Sequence, residues 1–315
     1  MRKFIIDTDT ASDDAAALML ATLSPEIELL GVTTVAGNVN VQQATLNALK
    51  TLEVCNSTAA VYMGAAQPLL HTRKETISVH GKDGMGDLDL IHPVRTAEQK
   101  HAVDYILDTV RQYPDEVEIA VLGPATNIAL AVQTDPNTMR KVKHIWSMGT
   151  PGFGAGNATP VAEFNVYMDP QAYAVLLNIG VPITIIGFDQ CSGEIALDKA
   201  KLEALTHGAA PARFLERITS ELLQFKLRTS GLYLVDLPDA IALAVALWPD
   251  FTARAVPCYC YCCTEPGHTY GQVIMYRSDR VYESMPQLPV CNATVIEAVH
   301  EPIFTERFLT RMMQG

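Results

Sequence analysis

The sequence predicts an α/β fold: an open, mostly parallel, doubly wound sheet flanked by helices, with a helical C-terminal part. Short apolar runs alternate with longer helical patterns up to about residue 195, and this alternation is typical of βαβ units. With 315 residues, 49% of them hydrophobic, the chain can bury a large core. We find no linker, low-complexity segment or internal repeat, so we expect one domain over residues 1–315.

The elements follow from apolar periodicity and from turn residues. The predicted strands cover residues 3–7, 28–35, 60–63, 117–122, 143–148 and 182–187. The predicted helices between them cover residues 13–23, 41–55, 98–111, 126–132 and 169–177. The last third is predicted to contain helices at 199–206, 210–226, 239–248 and 301–313, and strands at 255–263 and 271–276. Ligands of open parallel sheets bind beyond the carboxyl ends of the strands, so the residues after each strand are the candidates for function.

The charge balance restricts the class of partner. The chain has 35 acidic and 23 basic residues and a formal charge of −12, which argues against nucleic acid or an anionic membrane surface. A small neutral ligand or a cation fits better. The N-terminus contains no hydrophobic stretch that resembles a signal peptide, and the longest apolar run, residues 240–248, is far shorter than the roughly 20 residues that span a bilayer. We therefore expect a cytoplasmic protein with no transmembrane segment.

The seven cysteines are odd in number, which suggests free thiols in a reducing compartment. Alternation places Cys258, Cys260 and Cys262 on one face of a strand, with successive side chains roughly 7 Å apart. That spacing is too wide for the three thiols to share one tetrahedral metal easily. The pattern favours a buried core strand over a metal site.

An acidic cluster directly follows the first predicted strand. Asp7 and Asp9 are two residues apart and should share a strand face, while Asp13 and Asp14 open a helix. Two carboxylates about 5 Å apart repel by roughly 3 kcal/mol at an effective dielectric near 20, so a partly buried cluster favours a cation. Carboxylate oxygens without nearby His or Cys indicate Ca²⁺ or Mg²⁺. Alternatively, Asp13 caps the helix and the other carboxylates are solvated.

Further polar residues lie where other strands should end, and each also has an ordinary structural interpretation. Asn38 lies in a turn, Thr126 or Asn127 is expected to cap a helix, and Asp239 heads a fully apolar helix. Glu163 and Asn165 are expected on one face of an extended segment, and Asn157 lies nearby. Amide and carboxylate side chains of this kind suit a polyol such as a sugar.

Taken together, these motifs resemble the inosine-uridine preferring nucleoside hydrolase family from residue 4 to the last helix. The similar segments are the opening Asp-x-Asp-x-x-x-Asp-Asp-Ala at 7–15, Gly37-Asn38, His80-Gly-x-Asp-Gly, Gly-Pro-x-Thr-Asn-Ile-Ala at 123–129, Ala-Glu-Phe-Asn-Val-Tyr-x-Asp-Pro at 162–170, and Asp239. Each motif alone is weak, but they occur in the family's order and approximate spacing.

The resemblance implies a ribonucleoside substrate and a calcium ion. The implied metal ligands are Asp9, Asp14, the main-chain carbonyl of Thr126, and Asp239. The implied sugar-binding residues are Asp13, Asn38, Asn157, Glu163, Asn165 and Asp239, with Met148 beneath the ribose. In the implied mechanism a calcium-bound water loses its proton to Asp9 and attacks C1′, and Asp7 supports the metal site. Family members are commonly oligomers, so we expect a homodimer or homotetramer.

The chain departs from the family pattern at two places. Thr10-Ala11 replaces the usual Pro-Gly, and if that glycine required positive φ, Ala11 would add strain of order 1 kcal/mol. Pro238 stands where many members have a histidine on the base side. We expect His80 to assist the leaving base instead, because its ordinary pKa near 6.5 suits acid catalysis. Tyr233 is the alternative candidate.

Two other functions are compatible with parts of the sequence. A strand followed by Asp-x-Asp also opens the haloacid-dehalogenase-like phosphatases, in which Asp7 would be the nucleophile, Asp9 the acid and Mg²⁺ the cofactor. That alternative leaves Asp13, Asp14 and Asp239 without roles. The second alternative is a nucleoside-binding homologue that has lost activity.

Overall fold

The computed structural model describes residues 1–72, 79–283, 285, 287 and 289–315. Its main sheet has nine strands in the order β10-β9-β11-β6-β5-β4-β1-β2-β3. The strands that precede residue 190 are β1 (Arg2–Thr8), β2 (Ile27–Thr34), β3 (Ala60–Met63), β4 (Val117–Val121), β5 (His144–Met148) and β6 (Ile183–Ile186). These six strands pair in parallel, as predicted.

The C-terminal part extends the same sheet. It contributes β9 (Thr252–Cys262), β10 (Val273–Arg277) and β11 (Ala293–Val299). Strand β11 is parallel to β6, and β9 is antiparallel to both of its neighbours, β10 and β11. The short strands β7 (Leu197–Asp198) and β8 (Leu234–Val235) form a separate antiparallel pair. Strand β11 is missing from the sequence prediction. Cys258, Cys260 and Cys262 are buried in β9, so the core-strand interpretation is confirmed.

Twelve α-helices lie in the described residues. Those before residue 180 are α1 (Ser12–Thr22), α2 (Val41–Val54), α3 (Ala102–Gln112), α4 (Thr126–Thr134), α5 (Pro136–Met139), α6 (Phe164–Met168) and α7 (Pro170–Leu177). The later ones are α8 (Lys199–Leu205), α9 (Ala210–Ile218), α10 (Ser220–Ser230), α11 (Pro238–Leu247) and α12 (Glu301–Gln314). The predicted helix 210–226 is wrong in its length, because it is two helices with Thr219 at the junction.

The sheet separates two hydrophobic cores. Alternate residues of β1 face opposite sides: Phe4 and Ile6 pack with α1 and α11, whereas Ile5 packs with residues of α3, α4 and α7. Every residue of α11 is buried, and α1 is buried from Ser12 to Ala21. This two-sided burial explains why both helices lack an amphipathic pattern, and it confirms the predicted parallel sheet flanked by helices.

The strand order determines where a site can form. The chain runs outward from β1 to β3 on one side and from β4 to β6 on the other, so the order reverses between β1 and β4. Crossovers leave in opposite directions at such a point and open a crevice at the carboxyl ends of the two strands. The acidic cluster follows β1, and the Gly123–Thr126 turn follows β4, so both lie at this crevice. The interpretation of residues 1–315 as one domain stays a prediction.

None of the described helices is both long and apolar enough to cross a membrane.

Candidate active site

Two packed helices bring distant carboxylates together. Helices α1 and α11 contact each other, and their first turns carry Asp13 and Asp14 on one helix and Asp239 on the other. One carboxylate oxygen from each of these three residues lies within 4.8 Å of the others. All three residues are buried. Residues separated by more than 220 positions in the chain therefore form one acidic cluster.

Asp14 is held by the loop that precedes its helix. Its Oδ1 accepts a hydrogen bond from Thr8 Oγ1 at 2.5 Å, and its Oδ2 accepts one from the backbone N–H of Ala11 at 2.9 Å. Ala11 has φ −107° and ψ −162°, which is extended backbone that any residue adopts. The condition for strain at Ala11 is therefore not met, because this loop does not require positive φ there.

Asp9 is enclosed by two glycine-containing turns. The backbone N–H of Asn38 donates to Asp9 Oδ2 at 2.5 Å. A Cβ atom on Gly37 would lie 2.1 Å from Oδ2, and one on Gly123 would lie 2.7 Å from Oδ1. Both glycines are thus required for the close approach of the β2 and β4 turns to this carboxylate. The structure supplies the physical reason for the Gly37-Asn38 and Gly123-Pro124 motifs.

Burial and mutual repulsion act in the same direction on the cluster. Burial, together with the neighbouring carboxylate of Asp13, raises the pKa of Asp14 to about 7. Burial raises the pKa of Asp13 to about 6. The pKa values of Asp9 and Asp239 lie well above their ordinary range because of burial and then because of Asp14 and Asp13. Taking a proton or binding a cation would relieve this repulsion.

The donor set suits a hard cation. Asp9 Oδ1 and Asp13 Oδ1 are buried, and neither has a hydrogen-bond partner in the described part of the chain. Buried carboxylate oxygens without partners are rare unless they ligate a metal or a ligand. The cluster offers only oxygen atoms, which is the ligand preference of Ca²⁺ and Mg²⁺. The site could therefore hold a divalent metal ion.

Asp7 lies behind this cluster in a polar network. Its Oδ1 accepts hydrogen bonds from Thr33 Oγ1 at 2.6 Å and from Asn127 Nδ2 at 2.7 Å, and burial raises its pKa to about 7. Asn127 also accepts a hydrogen bond from the backbone of Ala65 at 2.9 Å. The predicted helix cap at Asn127 is therefore wrong, because its side chain joins strand ends across the sheet.

Thr126 begins α4 but its side chain does not cap the helix. Thr126 Oγ1 instead donates to Asp169 Oδ2 at 2.7 Å, and the same oxygen accepts from the backbone N–H of Leu69 at 2.9 Å. Asp169 Oδ1 caps α7 through the N–H of Ala172. Asp169 is fully buried. Sequence reasoning missed this support of Thr126, although Asp169 belongs to the motif at 162–170.

The predicted sugar-binding residues Glu163 and Asn165 do not lie on an extended segment. Glu163 is the N-cap of α6 and accepts hydrogen bonds from the backbone N–H groups of Asn165 and Val166. Burial raises the pKa of Glu163 to about 7. The predicted extended segment is wrong, because the Glu163 side chain accepts hydrogen bonds from the free N–H groups at the start of a short helix. Glu163 also contributes to the raised pKa of Asp239, so the two carboxylates are close enough to interact electrostatically.

Asn165 and Met148 are in contact with each other. Asn165 Nδ2 donates to the carbonyl of Leu122 at 2.7 Å and lies 3.4 Å from Met148 Sδ. Both residues are buried. Asn157 is exposed, and its Oδ1 accepts a hydrogen bond from the backbone N–H of Phe164 at 2.9 Å. Asn157 is thus tied to the start of α6.

The base-side candidates differ in their surroundings. His80 is buried, with Nδ1 2.6 Å from Ser12 Oγ and 3.6 Å from Asp13 Oδ1, and burial lowers its pKa to about 4. Tyr233 is 43% exposed. Pro238 occupies the first turn of α11 directly before Asp239. Among the described residues, His80 thus lies next to the acidic cluster through Asp13, and no such contact is seen for Tyr233.

Comparison with known proteins agrees with this arrangement. The family model described as inosine-uridine preferring nucleoside hydrolase matches residues 4–306. Uridine nucleosidase 1 from Arabidopsis thaliana is 36% identical over 250 residues, which cover 79% of this chain and 74% of that protein. A plant nucleoside hydrolase structure superposes with a TM-score of 0.92 at 28% identity and covers 100% of this chain and 99% of the other.

A second solved structure, the purine-preferring ribonucleoside hydrolase from Gardnerella vaginalis, has a TM-score of 0.87 and 30% identity. It covers 99% of this chain and 98% of the other. The match over nearly the whole chain includes the acidic cluster, the α6 region and Asp239, and no finding favours the phosphatase alternative. The chain therefore belongs to the inosine-uridine preferring nucleoside hydrolase family and is an enzyme that hydrolyses the N-glycosidic bond of ribonucleosides.

Proposed function

We propose that this hydrolase depends on calcium, held by Asp9, Asp14, Asp239 and the main-chain carbonyl of Thr126. Two observations carry the proposal. Buried carboxylate oxygens of Asp13, Asp14 and Asp239 lie within 4.8 Å of one another, and Asp9 and Asp13 each have a buried oxygen without a hydrogen-bond partner among the described residues. Calcium accepts six to eight oxygen ligands in flexible geometry, whereas magnesium demands a near-ideal octahedron and retains waters. A cluster rich in protein carboxylates therefore favours calcium.

When bound, the ion would supply Lewis-acid activation of the attacking water. Asp9 is proposed as the general base that takes the proton of this water. Its Oδ2 accepts the hydrogen bond of the Asn38 backbone N–H, and its Oδ1 is buried without a hydrogen-bond partner among the described residues. A positioned base of this kind contributes about 10²- to 10⁴-fold to the rate.

Six polar residues and one methionine are proposed to bind ribose. This group comprises Asp13, Asn38, Met148, Asn157, Glu163, Asn165 and Asp239. Positive charge builds on the sugar as the glycosidic bond breaks, and the acidic lining stabilises that charge. A substrate without the 2′-hydroxyl would leave buried polar groups unpaired, so ribonucleosides should be strongly preferred over 2′-deoxynucleosides.

His80 is proposed to assist the departing base, because Pro238 has no proton to give. With its pKa lowered to about 4 by burial, His80 is a neutral imidazole at pH 7 and would act as a hydrogen-bond donor. The relatives are named for both uridine and purine substrates, so both classes of base are proposed as substrates. The homodimer or homotetramer and the cytoplasmic location stay predictions.

The test is an assay of free ribose from uridine, inosine and their 2′-deoxy analogues, with and without EDTA. We expect release from the ribonucleosides, little from the deoxy analogues, and loss on chelation that calcium restores. Absence of ribose release from every nucleoside would favour the inactive binding homologue. Activity and melting temperature unaffected by EDTA, in protein that contains no divalent ion, would contradict the calcium assignment.

A further inference from the structure

A buried serine is in contact with the proposed base-side histidine. Ser12 Oγ lies 2.6 Å from His80 Nδ1, Ser12 is 0% exposed and His80 is 9% exposed. Ser12 is the first residue of α1, directly before Asp13 and Asp14. The acidic helix start and the His80 loop are therefore joined by one short hydrogen bond.

Neighbouring contacts hold the two partners in place. Asn47, a fully buried residue of α2, donates through Nδ2 to the carbonyl of Thr10 at 2.9 Å and to that of Asp83 at 2.7 Å. This amide bridges the segment before Ser12 and the loop after His80. Gly84 packs closely beside this amide, because a Cβ atom there would lie 3.3 Å from Asn47 Nδ2. These contacts therefore fix the positions of the two segments that carry Ser12 and His80.

The direction of this hydrogen bond follows from the needs of the hydroxyl. His80 Nδ1 is the hydrogen-bond partner that the structure gives Ser12 Oγ in the described part of the chain. A buried hydroxyl that cannot donate loses about 1–3 kcal/mol, whereas an unused lone pair is tolerated more easily. If Nδ1 carried a proton, the Ser12 hydroxyl would have no acceptor there. The hydroxyl therefore donates to Nδ1.

We propose that Ser12 is a positioning residue that keeps His80 in the tautomer with its proton on Nε2, so that Nε2–H can donate a hydrogen bond to the departing base. This inference rests on the proposed leaving-group role of His80. Asp13 Oδ1, at 3.6 Å from Nδ1, is too distant for a hydrogen bond with Ser12 present. Without the serine hydroxyl, this carboxylate oxygen is an acceptor close to Nδ1, and it would favour a proton on Nδ1 instead.

The first readout is the tautomer itself. Nitrogen-15 NMR of histidine-labelled enzyme distinguishes a protonated from an unprotonated Nδ1 directly, independently of catalysis. We expect Nδ1 of His80 to be unprotonated in the unmodified enzyme and protonated in Ser12→Ala. The His80 signal is assigned by its loss in His80→Ala. A protonated Nδ1 in the unmodified enzyme would overturn the inference.

The second readout is leaving-group dependence. Ser12→Ala should lower kcat for inosine or uridine about tenfold, the loss expected when His80 Nε2–H no longer donates to the negatively charged departing base. The rate with p-nitrophenyl riboside should stay within about twofold of that of the unmodified enzyme. The double variant Ser12→Ala/His80→Ala should be no slower than His80→Ala, because Ser12 acts only through His80. Additive losses, or equal losses on both substrates, would contradict the proposal.

The matched control is Ser24→Ala. Ser24 is another buried serine, located beyond the end of α1, and its hydroxyl donates to the carbonyl of Leu20. Its removal should alter stability but neither the substrate ratio nor the His80 tautomer. If the unmodified enzyme hydrolyses neither inosine nor p-nitrophenyl riboside, the proposed function itself fails. If it hydrolyses both and Ser12→Ala leaves their ratio unchanged, only the role of Ser12 fails.

Discussion

The two ends of the central strands both contain buried carboxylates, but the pKa values of these carboxylates are shifted in opposite directions. At the amino end, Glu118 of β4 is 2% exposed and accepts hydrogen bonds from Arg2, Lys143 and the indole of Trp146. Burial acts to raise the pKa of Glu118, but these partners lower it below the ordinary value. At the carboxyl end, the pKa values of Asp9, Asp13, Asp14 and Asp239 are all raised.

This difference distinguishes a structural charge from a functional one. Glu118 has its cations within the chain, so its charge is satisfied as soon as the sheet forms. The acidic cluster forms no salt bridge with Lys or Arg among the described residues, and His80 is its one basic neighbour recorded there. A buried charge without a partner is unfavourable, and it persists where a ligand completes it. The acidic cluster at the carboxyl end could therefore hold a cation.

The largest expected effect comes from changing the proposed base. Asp9→Asn should lower kcat for uridine or inosine by about 10²- to 10⁴-fold, because the amide cannot accept the proton. The melting temperature of the metal-free protein should not fall, since one repelling carboxylate is removed. Steady-state kinetics and calorimetry with EDTA check both parts. A strongly lowered melting temperature would mean that Asp9 is structural, like Glu118.

At the amino end we expect the opposite result, a loss of stability without a loss of activity. Glu118→Gln should lower the free energy of unfolding by about 2–3 kcal/mol, because Arg2 loses its charged partner. The expected loss is below that of a fully buried pair because the Arg2 side chain is 31% exposed. Denaturant unfolding and uridine hydrolysis at 25 °C test this. A loss of kcat greater than about twofold would contradict the proposed division between the two ends.

Asp169 offers a sharper test within the carboxyl end, since it contacts Thr126 rather than the acidic cluster. Asp169→Asn should weaken calcium binding by about 10- to 100-fold, the usual effect of changing a residue that orients a metal ligand. The amide has one acceptor oxygen and cannot serve Thr126, Leu69 and Ala172 together. Terbium luminescence competed by calcium measures the affinity. Glu118→Gln, which should leave affinity unchanged, is the control.

The smallest effect is the pH dependence of stability. The folded-state pKa values of Asp13 and Asp14, about 6 and 7, lie above the unfolded value near 4. The folded state therefore binds more protons in this interval, so the metal-free protein should lose stability as the pH rises from 5 to 8. Calcium competes with these protons, so its stabilisation should grow over the same range. Melting curves at fixed calcium that show no such trend would contradict the cluster's proposed metal role.

Much of the fold and site could be predicted because the decisive signals are local. Apolar runs separated by turn residues identified the parallel strands, and the first turn of α1 was expected to carry Asp13 and Asp14. Strand β11 was not predicted because its short run, Ala293–Val299, has no hairpin signal. It joins the sheet only by pairing with β6 and β9. Helix α6 was not predicted because five residues are too few to show a helical period.

The sequence by itself determined the sheet's βαβ pattern, the acidic residues after β1 and the order of motifs, since each of these depends on residue types at short spacing. Only the tertiary structure decided which side chains meet. Asp239 reaches Asp14 because α11 packs on α1, Asp169 supports Thr126 across 43 positions, and Ser12 meets His80 across 68. Such contacts depend on how whole helices and loops pack against the sheet. Residue types at short spacing therefore do not predict which distant side chains come into contact.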